Sequence, residues 1–240
     1  MTLLLLAGTA EARAIATALQ GQDIIASLAG ATRDPAPLPV ATHIGGFGGE
    51  QGFRDFLAQR HIHAVLDATH PFAARITRRS ATVCADLGLP FCQLLRPPWV
   101  AGPGDLWTEI AGEEEAAAHI PQGATVFLGT GRQTLDGFAN LTRRRVICRQ
   151  IDPPEGPFPF AGGEFLVGRP PFSVLDEIAL FQRMRVDWLV VKNAGGHASA
   201  TKLVAARELG IPVLMVARPA VGDWRQVPSV ADALAWVAGL

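Results

Sequence analysis

The stretch Thr2-Leu3-Leu4-Leu5-Leu6-Ala7-Gly8-Thr9-Ala10-Glu11-Ala12-Arg13 decides the fold. A short apolar run stops at a glycine and passes directly into a stretch of helical character. Uninterrupted apolar runs, rather than alternating ones, are what a parallel sheet covered on both faces requires. The same pattern continues outward: helix over 11–19, strand over 24–28, helix over 50–60, strand over 64–66 and helix over 72–87. Strands and helices in alternation, joined by right-handed crossovers, predict a doubly wound α/β domain. The opening run has no basic flank and is too short for a bilayer, so it reads as a buried first strand and not as a signal peptide or membrane span.

Residues 95–104 contain Arg96-Pro97-Pro98-Trp99 and Gly102-Pro103-Gly104, which continue neither helix nor strand. A boundary there gives an N-terminal domain over 1–96 and a C-terminal domain over 97–240. The pattern then restarts, with strands over 125–128, 146–148, 188–191 and 213–216 and helices over 133–140, 173–185, 198–209 and 229–237. Gly104-Asp105-Leu106-Trp107 is echoed by Gly222-Asp223-Trp224, each ahead of a helix. The Pro/Gly-rich segment 152–163 has no periodicity and reads as a loop over the cleft.

Composition excludes several function classes. Of 240 residues, 49% are hydrophobic and 18% charged, which suits a packed enzyme and not a disordered chain. With 21 basic against 22 acidic side chains no bulk field exists to hold a polyanion, so nucleic acid is not the expected partner. Cys84, Cys92 and Cys148 lack C-x-x-C spacing, so neither a disulfide framework nor a structural metal site is expected, and the expected compartment is the reducing cytoplasm. His61 and His63 flank a helix-to-strand turn and read as surface residues. The chain has no tyrosine, so a Tyr-Lys proton donor is impossible. Walker, G-x-S-x-G and H-E-x-x-H signatures are also missing, which argues against nucleotide hydrolysis, ester hydrolysis and zinc proteolysis.

In open α/β sheets ligands bind beyond the carboxyl ends of the strands. After the first strand, Gly8, Thr9, Ala10 and Glu11 form a reduced phosphate loop: a glycine admitting close approach, a hydroxyl, then a helix N-terminus. The second strand ends near Ser27, followed by Gly30-Ala31-Thr32-Arg33, where a hydroxyl and an arginine favour a 2′-phosphate and hence NADPH; a solvated loop charge is the other reading of Arg33. Ile44-Gly45-Gly46-Phe47-Gly48-Gly49 would accept a flat ligand, with Gly46 toward cofactor and Phe47 toward substrate. Asp67-Ala68-Thr69-His70-Pro71-Phe72 brings Thr69, His70 and Pro71 to the next strand end.

In the second half Gly129-Thr130-Gly131-Arg132 and Lys192-Asn193-Ala194-Gly195-Gly196-His197, with Lys202 beyond, supply anion donors. Thr130, Gly131, Arg132, Lys192, Asn193 and Lys202 are the candidate substrate contacts.

Taken in order, Gly8-Thr9-x-Glu11, Gly45-Gly46-Phe47-Gly48-Gly49, Asp67 to Phe72, Gly129 to Arg132 and Lys192-Asn193-x-Gly195-Gly196 resemble the precorrin-6A reductase family of cobalamin biosynthesis. The resemblance spans nearly the whole chain. It implies that NADPH donates a hydride to a double bond of the precorrin-6A macrocycle to give precorrin-6B, with both ligands in the cleft between two Rossmann-like domains built on parallel sheets. Arg and Lys side chains suit the many carboxylates of that ring. Two departures stand out: Ala194 replaces the commoner serine, and Ala31 displaces Arg33 from the family's Gly-Arg-Thr. His70, Lys192 or water can supply the proton, and the residues do not choose among them. The rival readings are a non-catalytic dinucleotide sensor and another tetrapyrrole-modifying enzyme; cobalt content of the substrate and oligomeric state stay open.

Overall fold

The computed structural model describes residues 1–30, 36–197 and 199–240. Strand β1 (Thr2–Leu6) carries the opening leucines, Leu3 to Leu6, none more than 3% exposed. Burying each such side chain contributes about 2 kcal/mol. It is followed by α1 (Ala10–Ala18), β2 (Ile24–Leu28), β3 (Ala41–Ile44), α2 (Glu50–Gln59), β4 (Ile62–Asp67), α3 (Ala74–Asp86) and β5 (Phe91–Leu94). Next come β6 (Trp107–Ile110), α4 (Ala116–His119), β7 (Thr125–Leu128), β8 (Arg145–Gln150), β9 (Gly163–Val167), α5 (Val174–Met184), β10 (Trp188–Lys192), α6 (Thr201–Leu209) and β11 (Val213–Val216). The chain closes with β12 (Gln226–Val227) and α7 (Val230–Ala238).

These elements form two six-stranded sheets, ordered β12-β5-β4-β1-β2-β3 and β6-β11-β10-β7-β8-β9. Every pairing is parallel. Both are doubly wound, and the order reverses beside β1 in the first sheet and beside β7 in the second. That reversal is where such sheets open a ligand crevice. The Gly-Asp-Trp echo is explained by topology, because β6 and β12 are the corresponding edge strands of the two sheets.

The chain divides into two compact units, Met1–Pro97 with Pro219–Leu240, and Pro98–Arg218. The first break falls within the expected linker. The end of the chain does not follow the expected 97–240 domain: β12 pairs with β5, and α7 buries Ala233 and Val237 in the core that α1 covers with Ala12, Ile15 and Ala16. A two-residue strand has no apolar run for sequence periodicity to find, so only its pairing reveals where it belongs. The helix expected over 133–140 is instead a 3-10 segment, Arg132–Phe138, with non-helical backbone at Thr134. Gly137 interrupts this short run, and glycine costs about 1 kcal/mol in a helix interior.

In the second unit, Phe127, Ile147, Leu189 and Val191 share a core with Leu180 and Phe181 of α5 and with Leu203, Ala205 and Ala206 of α6. Side chains alternate along a strand, so their sequence neighbours face the opposite side of the sheet. This assignment of faces organises the site.

Candidate active site

At the first switch point, Gly8 takes φ 128°, a conformation glycine adopts without strain. Thr9 caps α1: its Oγ1 accepts from Ala12 N at 3.1 Å and donates to Ala68 O at 2.7 Å. The hydroxyl therefore joins the loop after β1 to the loop after β4. Ala10 opens α1, whose first amides have no intrahelical partner. Glu11 forms an ion pair with Arg96 at 3.0 Å. Burial pushes the Arg96 guanidinium below its ordinary pKa, against the opposing charge of Glu11.

Asp67, at the end of β4, is fully buried, and its Oδ1 accepts from Thr69 N at 2.9 Å and Thr69 Oγ1 at 2.7 Å. Burial raises the pKa of this carboxyl, and the hydrogen bonds from Thr69 oppose the rise. Thr69 is thus fixed by the strand end beneath it. His70 is exposed, with its Nδ1 accepting from Phe72 N at 3.3 Å, and Pro71 is half-buried beside it. Gly8, Thr9, Ala10, Thr69, His70 and Pro71 therefore gather where β1 and β4 end.

The other expected contacts of the first unit are Ser27, Arg33, Gly46 and Phe47. Ser27 is buried at the end of β2, where its carbonyl accepts from Ala7 N at 2.8 Å. Arg33 lies outside the described residues. Gly46 is exposed in the glycine loop, which Gly45 anchors by donating from its amide to Leu28 O at 2.8 Å. The ring of Phe47 packs inward, 4.9 Å from Phe53, 5.0 Å from Phe56 and 5.3 Å from His43, with the Arg79 guanidinium 5.6 Å above it. Phe47, expected at the substrate, is half-buried and anchors the glycine loop to the core. His61 and His63 are exposed as expected, and no group of metal-ligating side chains occurs among the described residues.

In the second unit, Gly129, Thr130, Gly131 and Arg132 follow β7. Gly131 has φ 75°, Arg132 is exposed, and Thr130 Oγ1 is buried with no hydrogen-bond partner among the described residues. Lys192, at the end of β10, stands 3.6 Å from Glu113, and burial lowers its pKa against the pull of that carboxylate. Asn193, expected at the substrate, uses its amide on the main chain of Trp99: Oδ1 accepts from Trp99 N at 2.8 Å and Nδ2 donates to Trp99 O at 3.1 Å. The indole of Trp99 donates to Gly196 O at 2.9 Å, so the linker residue is fastened to the loop after β10.

Lys202 Nζ donates to Ser199 O at 2.6 Å and lies 5.9 Å from the centre of the Trp99 ring. Its pKa is pushed down to about 8, chiefly by burial and also by Arg149, with Glu177 opposing. By alternation, Lys192 and Thr130 stand on one face of the second sheet, while Gly129 and Arg149 share the α5 and α6 face with Lys202. Cationic groups thus reach both faces at one end of the sheet.

The match to known proteins runs the length of the chain. A family model described as precorrin-6x reductase CbiJ/CobK covers residues 2–238. The chain belongs to this family. Among relatives of the precorrin-6x reductase family, the precorrin-6A reductase of Rhodococcus erythropolis is 45% identical, covering 99% of this chain and 98% of its own. That of Rhodobacter capsulatus is 39% identical over 98% and 95%. The solved structure of CobK precorrin-6A reductase superposes with a TM-score of 0.95 at 40% identity, covering 100% of this chain and 97% of that one. The resemblance drawn from the motifs is therefore to the right family, and the fold expected from it, paired doubly wound parallel sheets, is the observed one.

Sequence reasoning passed over four residues that surround the candidate side chains of the second unit: Trp99, Glu113, Arg149 and Glu177. Arg149 left one signal, a charge near the end of an otherwise apolar strand, Val146-Ile147-Cys148. Glu177 sits inside a helix that reads as amphipathic, where a carboxylate ordinarily faces solvent, and nothing in the sequence marks it as 1% exposed.

Proposed function

We propose that this reductase uses NADPH to reduce a double bond of precorrin-6A, giving precorrin-6B. The observation that carries the reading is the division of donors between the two sheets. The first switch point offers uncharged amides and hydroxyls at the N-terminus of α1, suited to a pyrophosphate. A Cβ built on Gly8 would meet nothing within 4 Å, so the backbone there is open to close approach by a phosphate group. The second sheet offers Lys192, Lys202 and Arg132, suited to a ring carrying many carboxylates. The relatives matched at 45% and 39% bear the cobalt-free name, which supports precorrin-6A over its cobalt-containing counterpart.

A bound reduced nicotinamide supplies the hydride. The protein's part is to hold and align the reacting carbons, which accounts for much of the rate in such transfers. Thr9 joins the two loops that receive the dinucleotide, and Asp67 holds Thr69 in place beside His70 and Pro71. Lys202 and Arg132 take substrate carboxylates. Lys192, paired with Glu113 in the second unit, and His70 in the first are the candidate protein donors of the proton to the carbon next to the reduced one, with water as the third. A reducing biosynthetic step of this kind fits a cytoplasmic enzyme.

The test is oxidation of NADPH by the purified protein on addition of precorrin-6A, with NADH and cobalt-precorrin-6A as comparisons. NADPH loss that depends on precorrin-6A bears the reading out. Tight NADPH binding without turnover would leave a dinucleotide sensor, and faster turnover of the cobalt form would reverse the substrate assignment.

A further inference from the structure

The stem of Lys202 crosses the end of β7 at Gly129. A Cβ built on Gly129 would stand 3.3 Å from Lys202 Cδ, 3.5 Å from Lys202 Cε and 3.1 Å from Val191 Cγ1. Gly129 has no positive φ, in contrast to Gly131 at 75°, so its backbone alone admits alanine. What an added methyl group there would crowd is the lysine and the valine.

On the neighbouring strand, Arg149 follows Cys148, which is in register with Leu128, and therefore stands alongside Gly129 on the same face. Its guanidinium donates from Nη1 and Nη2 to the two oxygens of Glu177, at 2.8 and 2.7 Å. It is also sandwiched against Phe127 and Phe172, with ring centres 5.1 and 4.2 Å away. Such a buried ion pair is no strong source of stability, because apolar residues of similar volume would serve about as well. Lys202 lies within electrostatic range of both partners, and they are the charged groups that act on it. Were Arg149 absent, the Glu177 carboxylate would be the natural partner of the Lys202 ammonium.

We propose that Arg149 and Gly129 are positioning residues for Lys202: Arg149 occupies both oxygens of Glu177 so that the lysine is not captured there, and Gly129 leaves the groove in which its stem lies. The ammonium is thereby kept at the carboxyl end of the sheet, available to an anionic group. This inference rests on the reading of Lys202 as a substrate contact.

The experiment compares Arg149→Met, Arg149→Met with Glu177→Gln, Gly129→Ala, Lys202→Ala and the Gly129→Ala, Lys202→Ala double variant, each checked for native circular dichroism. Arg149→Met is expected to raise the KM for precorrin-6A about 10-fold with kcat within about 2-fold. Removing the Glu177 charge as well should restore it. If Arg149 itself bound substrate, that second change would rescue nothing and the proposal would fall. Gly129→Ala should raise KM in the native background and have no effect beside Lys202→Ala; additive effects would show that Gly129 does not act through the lysine.

A second readout needs no turnover: the pH dependence of Lys202 acylation, mapped by mass spectrometry of peptides. Arg149→Met should shift half-maximal labelling to higher pH, as a lysine captured by Glu177 holds its proton more tightly. An unmoved labelling curve overturns the positioning. A shifted curve with unchanged KM upholds it and removes Lys202 from the list of substrate contacts.

Discussion

Thr9 donates its hydroxyl hydrogen to the carbonyl of Ala68 at 2.7 Å while accepting the amide of Ala12, so one side chain both starts α1 and ties together the loops after β1 and β4. Replacing it with valine keeps the shape and removes both bonds. Loss of an N-cap costs about 1 kcal/mol, and Tm should fall by about 3 °C. The KM for NADPH should rise several-fold, with Thr9→Ser retaining most of both properties. Unchanged cofactor affinity in the valine variant would show that the hydroxyl serves the fold alone.

Asp67 gives a pH signature of stability. Its pKa is raised in the folded protein because the carboxyl is buried, above the ordinary value of 3.8 for the unfolded chain. The stability it contributes is fully present below that unfolded value and is lost as pH rises through the folded one. Asp67→Asn removes this titration and keeps an acceptor for Thr69. Thermal unfolding across pH 3 to 8 is expected to show the variant gaining on the native protein as pH rises. A constant difference would mean that Asp67 does not titrate in that range.

Lys202 should leave an opposite signature. Its pKa falls to about 8 by burial, with Arg149 lowering it and Glu177 opposing. A depressed ammonium contributes stability that is present above the unfolded pKa and lost as pH falls through about 8. Lys202→Met is therefore expected to be more thermostable than the native protein at neutral pH, the gap closing in alkali. In activity, the KM for precorrin-6A should climb above pH about 8 as the charge disappears. The Lys202→Met variant should lack that rise, and a profile identical in both proteins would remove the lysine from substrate binding.

Ser173 opens α5 with a reciprocal capping box: its Oγ accepts from Asp176 N at 3.1 Å, and Asp176 Oδ2 accepts from Ser173 N at 3.0 Å. This fixes the first turn of the helix that carries Glu177. Ser173→Ala should lower stability by about 1 kcal/mol in denaturant unfolding. A loss near zero would show that Asp176 alone holds the helix start.

The sequence alone determined the parallel α/β class, the loops at both switch points, and the candidacy of Thr9, Thr69, Lys192 and Lys202. Each is a local property: apolar periodicity reports which faces are buried, and a polar residue directly after a strand lies at its carboxyl end. Only the tertiary structure decided that β12 returns to the first sheet, that Phe47 turns into the core, that Asn193 is taken up by Trp99, and that Arg149 meets Glu177. Those outcomes depend on which distant segment becomes a neighbour. Strand pairing and side-chain burial bring together residues far apart in the chain, and an arginine that sequence shows only as a charge in a strand becomes, once α5 packs over β8, the partner of a buried glutamate within electrostatic range of Lys202.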